Sequence, residues 1–573
     1  MPKQRPPFRA FRASSRLDGQ RPIWRARIAH RPLEAATESS ASQSQSPAAP
    51  ARRPSLRAAL AVMGGRTAGV LSRRLHVGGG TSIVGLVAQR VYPDIVGHLA
   101  TQLQYGSVAV TGTNGKTTTS GFIANILADA GQRVWRNREG SNLMGGIASS
   151  LVMRALPNGS LRRSGKAISI FEVDEAVIPQ VLPAVVPRVA VFTNLFRDQL
   201  DRYGEVDSVT SRWQQAIRTL SPDTILVLNA DDPTIASLGD AFTGRILYFG
   251  IDDSSLDLAN QPTDSESHQV IDTHACPQCG SDYTYEIRFF SHMGHYHCTN
   301  CGRARPQPHV RATHVQSSDF DRQYITVTSS LATTIPQQDM VVPLPGLYNV
   351  YNALAAITVT QALEIDWQPI VTGIEQFQPI FGRGERLEAE GRIVRLLLAK
   401  NPTGFNEVLR TLFNEGMQRH VLFVLNDNIA DGRDVSWIWD VDFERVVGHT
   451  ATLVIAGIRA LDLALRLKYA GMAREHTTIV PSAPLRAARK EVARYNRHRR
   501  EKKNSNTVTT ITDEHIPDTA SPQHYGITQA LDVAIQQTPV GETLFIVPTY
   551  TGLLEIHREL ERRGLTPHYW EEQ

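Results

Sequence analysis

Lys116 follows two glycines and precedes three threonines, in the stretch VAVTGTNGKTTTSGFIANIL spanning residues 108–127. An apolar run stops at Thr111, and an apolar-periodic segment begins after the threonines. A glycine-rich turn between a strand and a helix aims backbone N–H groups at an anion, and the helix adds its N-terminal dipole. Gly112 and Gly115 permit the tight turn, Lys116 would neutralise β/γ-phosphate charge, and Thr117 would offer its hydroxyl to Mg²⁺. The plainer reading, a glycine-rich turn with an incidental lysine, leaves the Gly-Lys-Thr order and its strand–helix setting unexplained.

A second cluster is made of cysteine. The chain has four, Cys276, Cys279, Cys298 and Cys301, spaced C-x2-C-x18-C-x2-C. Each CxxC turn presents two thiolates on one side, and four thiolates close a tetrahedral Zn²⁺ site with no open position, hence a structural one. A disulfide framework would spread its cysteines along the chain rather than confine them to one short segment. His274, His292, His295 and His297 lie close enough in sequence to substitute as ligands, although histidine on a ribbon surface is the commoner case.

These groups need a scaffold. Short continuous apolar runs at 107–112, 167–174, 188–194, 223–229 and 246–250 read as strands buried on both faces of a parallel sheet, with helical segments between them. The pattern is that of an α/β doubly wound domain. A strand at 323–330, and then a strand and long helix over 339–363, follow the cysteine segment. A further α/β unit has strands at 392–399, 420–427, 451–457, 477–482 and 543–550. At 573 residues the chain is expected to hold three or four domains. The boundaries read as a disordered basic tail at 1–57, a central ATP-binding domain at 58–380 with the zinc ribbon inserted at 272–306, and a C-terminal domain at 381–573 with a mobile insertion at 485–525.

The charge is uneven. Residues 1–57 carry twelve Lys/Arg against three Asp/Glu, while the whole chain has a net charge of only +4. Such a segment has too little apolar surface to fold alone. It reads as a solvated tail, with an anchor for anionic lipid or nucleic acid, or a transit peptide, as sharper alternatives. No secretory h-region and no bilayer-length apolar run is evident, so a cytoplasmic protein is expected.

GTNGKTTT resembles the ATP loop of the Mur ligase family, and other stretches agree in order. FEVDEA (171–176) puts Glu172 at the family's metal-binding glutamate. TNLFRDQLDRYGE (193–205), LNADDP (228–233), LPGLYNVYNALAA (344–356) and FGRGERLE (381–388) resemble the family's later motifs. The resemblance implies ATP-dependent amide formation through an acyl phosphate. It implies nucleotide contacts from Gly112, Thr113, Asn114, Gly115, Lys116, Thr117, Thr118, Asn352 and Arg383, and Mg²⁺ held by Thr117 and Glu172, with Lys116 and Glu172 catalytic. Gln199 and Tyr348 stand where the family has histidines, which weighs against the ordinary amino-acid-adding reaction.

The C-terminal third narrows the family. LLLAKNPTGFNEVLR (396–410), VLNDNIADGRDVSWIWDVDFE (424–444) and VPTYTGLLEIHREL (547–560) closely resemble the MurT branch, whose members are ligase subunits of lipid II isoglutaminyl synthases and carry a four-cysteine ribbon. The resemblance implies amidation of the D-glutamate α-carboxylate of the lipid II stem peptide, in a heterodimer with a GatD-like glutamine amidotransferase that supplies ammonia. It implies peripheral contact with the inner face of the cell membrane through the substrate, and no nucleic acid. An acidic residue of this branch completes the partner's Cys-His set. Asp434 is the expected one, with Asp431 and Asp440 as rivals, and a helix N-cap is the other role open to any of them. A Mur-type ligase adding an amino acid to a peptide or folate, and a zinc-ribbon nucleic-acid-binding ATPase, are the alternatives.

Overall fold

The computed structural model describes residues 55–74, 82–137, 141–162, 167–198, 206–258, 275–332, 335–378, 382–413, 417–481 and 525–566. The expected tail up to residue 54, Gln199, His274 and the 485–525 insertion up to residue 524 lie outside the described residues.

Helices α1 (Leu56–Arg74), α2 (Ile83–Val91) and α3 (Ile95–Ala100) precede β1 (Ser107–Thr111). The chain then alternates: α4 (Lys116–Asp129), β2 (Arg133–Arg136), α5 (Met144–Arg154), β3 (Ala167–Glu172), α6 (Ile178–Val185), β4 (Val189–Phe192), α7 (Val206–Ile217), β5 (Ile225–Asn229), α8 (Pro233–Ser237) and β6 (Arg245–Ile251). A hairpin of β7 (Thr284–Phe290) and β8 (Met293–His297) interrupts, and β9 (Val310–Asp319), β10 (Arg322–Ser329), β11 (Gln337–Val342), α9 (Leu347–Ala362) and α10 (Trp367–Glu375) follow. The strand order of the nine-stranded sheet is β11-β10-β9-β6-β5-β4-β1-β3-β2, parallel from β2 to β9 and antiparallel over β9, β10 and β11. β1 lies where the order of the parallel strands reverses, so its C-terminal end opens onto the crevice that ligands use in such sheets.

Both faces of this sheet are covered. Val108 and Val110 pack into one apolar cluster with Phe122, Ile123 and the α9 alanines. Ala109 points the other way, to Phe171, Phe192 and Trp213. This period of two within a wholly apolar strand is what a doubly covered parallel sheet demands.

The second sheet has six strands in the order β12-β13-β17-β14-β15-β16. Its elements are β12 (Arg383–Ala389), β13 (Arg392–Leu397), α11 (Pro402–Leu412), β14 (Arg419–Val424), β15 (Thr450–Gly457), α12 (Ala460–Tyr469), β16 (Thr477–Pro481), α13 (Tyr525–Gln537), β17 (Thr543–Pro548) and α14 (Tyr550–Arg562). Val421 and Phe423 face one core, Leu422 and Val424 the other, so this sheet is also sandwiched between helices.

Each apolar run read as a strand coincides with one of these strands. The edge strand β2, the hairpin β7–β8, the strand β9 and the antiparallel β12 were not expected. All four are short of continuous apolar residues because one face or edge meets solvent or the cysteine module.

Candidate active site

Gly112 and Gly115 have φ of +139° and +84°, which favour glycine. Both positions are also filled from outside. A Cβ on Gly112 would sit 2.1 Å from Thr193 Oγ1, and one on Gly115 2.0 Å from Asn352 Oδ1. The loop is held from beneath by the segment after β4. The Asn114 N–H donates to Asn194 Oδ1 (2.8 Å), Asn194 Nδ2 donates to Asn114 O (3.0 Å), and the Phe196 N–H donates to Thr113 Oγ1 (3.0 Å). Asn352, on α9, accepts from Thr119 Oγ1 at 3.3 Å and donates to Asn349 Oδ1 at 3.0 Å. It therefore props the loop from α9.

Lys116 opens α4 and is buried. Its ammonium donates to Gly112 O, to Thr113 O (3.3 Å) and to Glu175 Oε1 (3.1 Å). Burial holds the Glu175 carboxyl above its usual range even with Lys116 beside it. The Thr117 hydroxyl lies 2.9 and 2.8 Å from the two carboxylate oxygens of Glu172, at the end of β3. The two groups expected to bind Mg²⁺ are thus adjacent, a hard oxygen set of the kind that ion takes.

Across from the loop stands the start of the second α/β unit. Lys400 pairs with the buried Asp198. Burial alone would lower the Lys400 pKa, but Asp198 and Glu175 hold it above its usual value. Asn401 caps α11 by accepting from the Gly404 N–H (2.8 Å), and its Nδ2 donates to Asn114 Oδ1 (3.1 Å), joining the second sheet to the phosphate loop. Between these walls is a cavity of about 330 Å³, lined by Thr113 to Thr118, Glu172, Asn352, Phe290, Met293, Lys400 and Glu407 among others. Its size falls in the range of small-molecule sites, roughly 300–1,000 Å³. Arg383 opens β12 next to two lining glycines, Gly382 and Gly384, and its side chain lies outside the described residues.

The three aspartates of the loop after β14 differ sharply. Asp431 is buried, accepting from the Thr551 N–H (2.8 Å), the Thr551 hydroxyl and the Asn428 N–H (3.2 Å). Burial raises its pKa to about 6. Asp440 pairs with Arg197 across the two α/β units. Asp434 is exposed; its Oδ1 accepts the Ser436 N–H at 2.8 Å, and this bond holds its carboxyl below the usual range.

The four cysteine sulfurs lie within 4.8 Å of one another, with closest pairs of 3.5 Å (Cys276–Cys301) and 3.4 Å (Cys279–Cys298). Ser281, through its N–H and hydroxyl, draws the Cys279 thiol down to about 6. Cys301, despite the Arg303 N–H, is pushed up to about 12 by desolvation and the sulfurs around it. Four thiolates need a cation to share this space. A tetrahedral Zn²⁺ with bonds near 2.3 Å would set the sulfurs about 3.8 Å apart, so the donor set fits zinc. The module is bound into the body of the protein. Arg305 pairs with Asp231 and Asp252, and Arg303 with Asp240. The hairpin tip sends Phe290 and Met293 into the cavity wall.

The sequence motifs mark the loop and Asn352, but not the loop's other supports. Asn194, Asn401, Lys400 and Glu175 lie within the family motifs, yet nothing in residue type or spacing marks a side chain that acts across 80 to 287 positions, as Asn194 and Asn401 do on Asn114.

Residues 110–304 match the family described as Mur ligase middle domain, and residues 398–514 match MurT ligase C-terminal. The chain is 36% identical over 394 residues to the lipid II isoglutaminyl synthase (glutamine-hydrolyzing) subunit MurT of Staphylococcus aureus (strain COL), spanning 68% of this chain and 83% of that one. It is 32% identical over 424 residues to the MurT subunit of Streptococcus pneumoniae (strain ATCC BAA-255 / R6), spanning 74% and 89%. Among solved structures, a pseudomurein peptide ligase type C from Methanothermus fervidus has the same fold, with a TM-score of 0.53, 21% identity, and 80% and 78% of the two chains covered.

Proposed function

The chain belongs to the MurT family, the Mur-ligase-like subunits of lipid II isoglutaminyl synthase, and from that premise we propose that it performs the synthase's ligase step, ATP-dependent amidation of lipid II glutamate with nitrogen from glutamine, in peptidoglycan synthesis. In this reading the D-glutamate α-carboxylate attacks the γ-phosphorus of ATP, and ADP leaves. Ammonia then attacks the acyl carbon of the acyl phosphate, expels phosphate and loses a proton, giving D-isoglutamine.

One observation carries the reading. The phosphate loop and the family-specific stretch beginning at Leu398 line the same cavity, so Lys116 and Lys400 both serve one site. Phosphoryl transfer asks for charge neutralisation and alignment more than for a covalent nucleophile. Lys116 supplies positive charge at the loop, and Lys400 supplies it at the opposite wall. Thr117 and Glu172 would hold Mg²⁺, which when bound offsets phosphate charge. Gly112 to Thr118 would cradle the phosphates, while Asn352 holds that loop in shape. Arg383 is assigned to the nucleotide on the family motif alone.

All four cysteines of the chain belong to the thiolate cluster. None is left to act as the nucleophile that glutamine hydrolysis of this type needs. A separate GatD-like subunit would therefore release the ammonia, with Asp434 orienting its catalytic histidine. Exposure of Asp434, against burial of Asp431 and pairing of Asp440, supports that choice. The enzyme would work at the inner face of the cell membrane, where its lipid-linked substrate lies.

The test uses the purified chain with ATP, Mg²⁺ and lipid II. Ammonium is supplied in one reaction and mixed amino acids in another, with mass spectrometry of the stem peptide. Conversion of one carboxylate to a carboxamide with ammonium, abolished in Lys116→Ala, is expected. Addition of a whole amino acid would instead make this a conventional Mur-type ligase.

A further inference from the structure

Helix α1 is packed the wrong way round for an ordinary surface helix. The side turned to the protein consists of Ala58, Ala61, Val62, Gly65, Gly69 and Ser72, all buried. The side turned to solvent carries Leu56, Leu60, Met63, Val70 and Leu71, which are 45–78% exposed. At 100° per residue these five fall within one stripe along the whole helix. The inner face is committed to its small residues. A Cβ on Gly65 would lie 2.6 Å from Val84 O, and one on Gly69 2.5 Å from Val84 Cγ2. α2 sits equally close to α5, where a Cβ on Gly85 would be 2.0 Å from Gly145 O. The large residues have no room to turn inward. α2 continues the exposed apolar surface with Leu86 and Val91, which are 57% and 45% exposed.

We propose that this outward face of α1 and α2 seats the protein on an anionic lipid surface. Charge selects that occupant. From Glu38 to Asp94 the sequence holds seven arginines and no intervening acidic residue. Arg57 and Arg74 mark the two ends of the stripe. The chain ahead of the helix, residues 1–54, lies outside the described residues and carries eleven Lys/Arg against three Asp/Glu, Arg52 and Arg53 being already among the seven. An apolar stripe flanked by arginine is the pattern of a helix that lies in the headgroup region. No described helix is long and apolar enough to cross a membrane, so the contact is interfacial. The position also suits the site. α2 packs on α5, and the residues leading into α5, Asn142 and Leu143, line the cavity. A protein seated by α1 and α2 thus keeps one wall of its cavity a single helix away from the lipid. The expected effect on turnover rests on the lipid II reading given above; the binding itself does not.

The test compares the full chain with the triple variant Leu60→Gln, Met63→Gln, Leu71→Gln, all at exposed positions. Flotation uses vesicles of phosphatidylglycerol and phosphatidylcholine that contain no lipid II. Wild type is expected to float, with at least tenfold less binding to pure phosphatidylcholine vesicles and a similar loss in the triple variant. Amidation of lipid II in vesicles should fall at least tenfold in the variant, while amidation of the same substrate in detergent stays within twofold. Absence of wild-type flotation, or equal flotation of the variant, overturns the proposal. A concentration-dependent dimer that the triple variant disperses would also overturn it, assigning the face to a second copy. If vesicles bind as expected but no substrate is amidated in either medium, the lipid II reading has failed and the surface stands.

Discussion

At the scale of the residue, three side chains test the site separately. Lys116→Met should remove ATP turnover by at least ~10²-fold, since in the proposed reaction it deletes the positive charge that the loop offers the phosphates. Circular dichroism should show the fold retained, because the Glu175 it leaves behind is already biased towards its neutral form by burial. Asp434→Asn should leave ammonium-driven amidation intact and abolish glutamine-driven amidation with the partner present; equal loss in both assays would place Asp434 in the ligase site instead. Asp431 gives a pH signature. Its folded pKa of about 6 lies above its unfolded value, so the folded state binds the extra proton. Its contribution to stability is then fully present below about pH 4 and is lost as pH rises towards 6, a span worth about 3 kcal/mol for a shift of this size. Glu555, raised to about 7 by burial, extends the same trend upward. Thermal denaturation of Asp431→Asn across this range should show a flatter decline than wild type.

The elements show how far a sequence carries. Buried parallel strands declare themselves because both faces need apolar residues, and TILVLN or HVLFVL admits few other readings. The phosphate loop is equally legible, since Gly112 and Gly115 occupy positions where a side chain would collide. What could not be read is partnership between elements. LNADDP reads as a family motif, but nothing in it tells that Asp232 caps α8 or that Asp231 joins β6, Tyr351 and Arg305. The cysteine module reads as a separable insertion, but its hairpin forms part of the cavity wall. Chelation of the metal that its four cysteines would hold, or Cys298→Ser, should therefore act at a distance from the sulfurs. The KM for ATP is expected to rise about tenfold, equivalent to about 1.4 kcal/mol, alongside a lower melting temperature. A melting change with unaltered KM would show the hairpin to be an independent unit.

For the whole molecule, the junction between the two α/β units matters most. It is spanned by Lys400–Asp198, Arg197–Asp440, Arg395–Asp321 and the Asn114–Asn401 pair. Asn401→Asp separates closure from folding. Aspartate still caps α11, so stability should change little, whereas the donor to Asn114 is lost. A fall in kcat/KM for ATP of about tenfold, near 1.4 kcal/mol, is expected with an unchanged melting temperature. The cavity also has a temporal consequence. Its lining runs from Thr113 to Tyr550. Synthesis proceeds from the N-terminus, so a nascent chain carries its phosphate loop long before the opposite wall exists. The ATP-consuming machine is thereby assembled last, and a half-made polypeptide on the ribosome has no closed chamber in which to spend nucleotide.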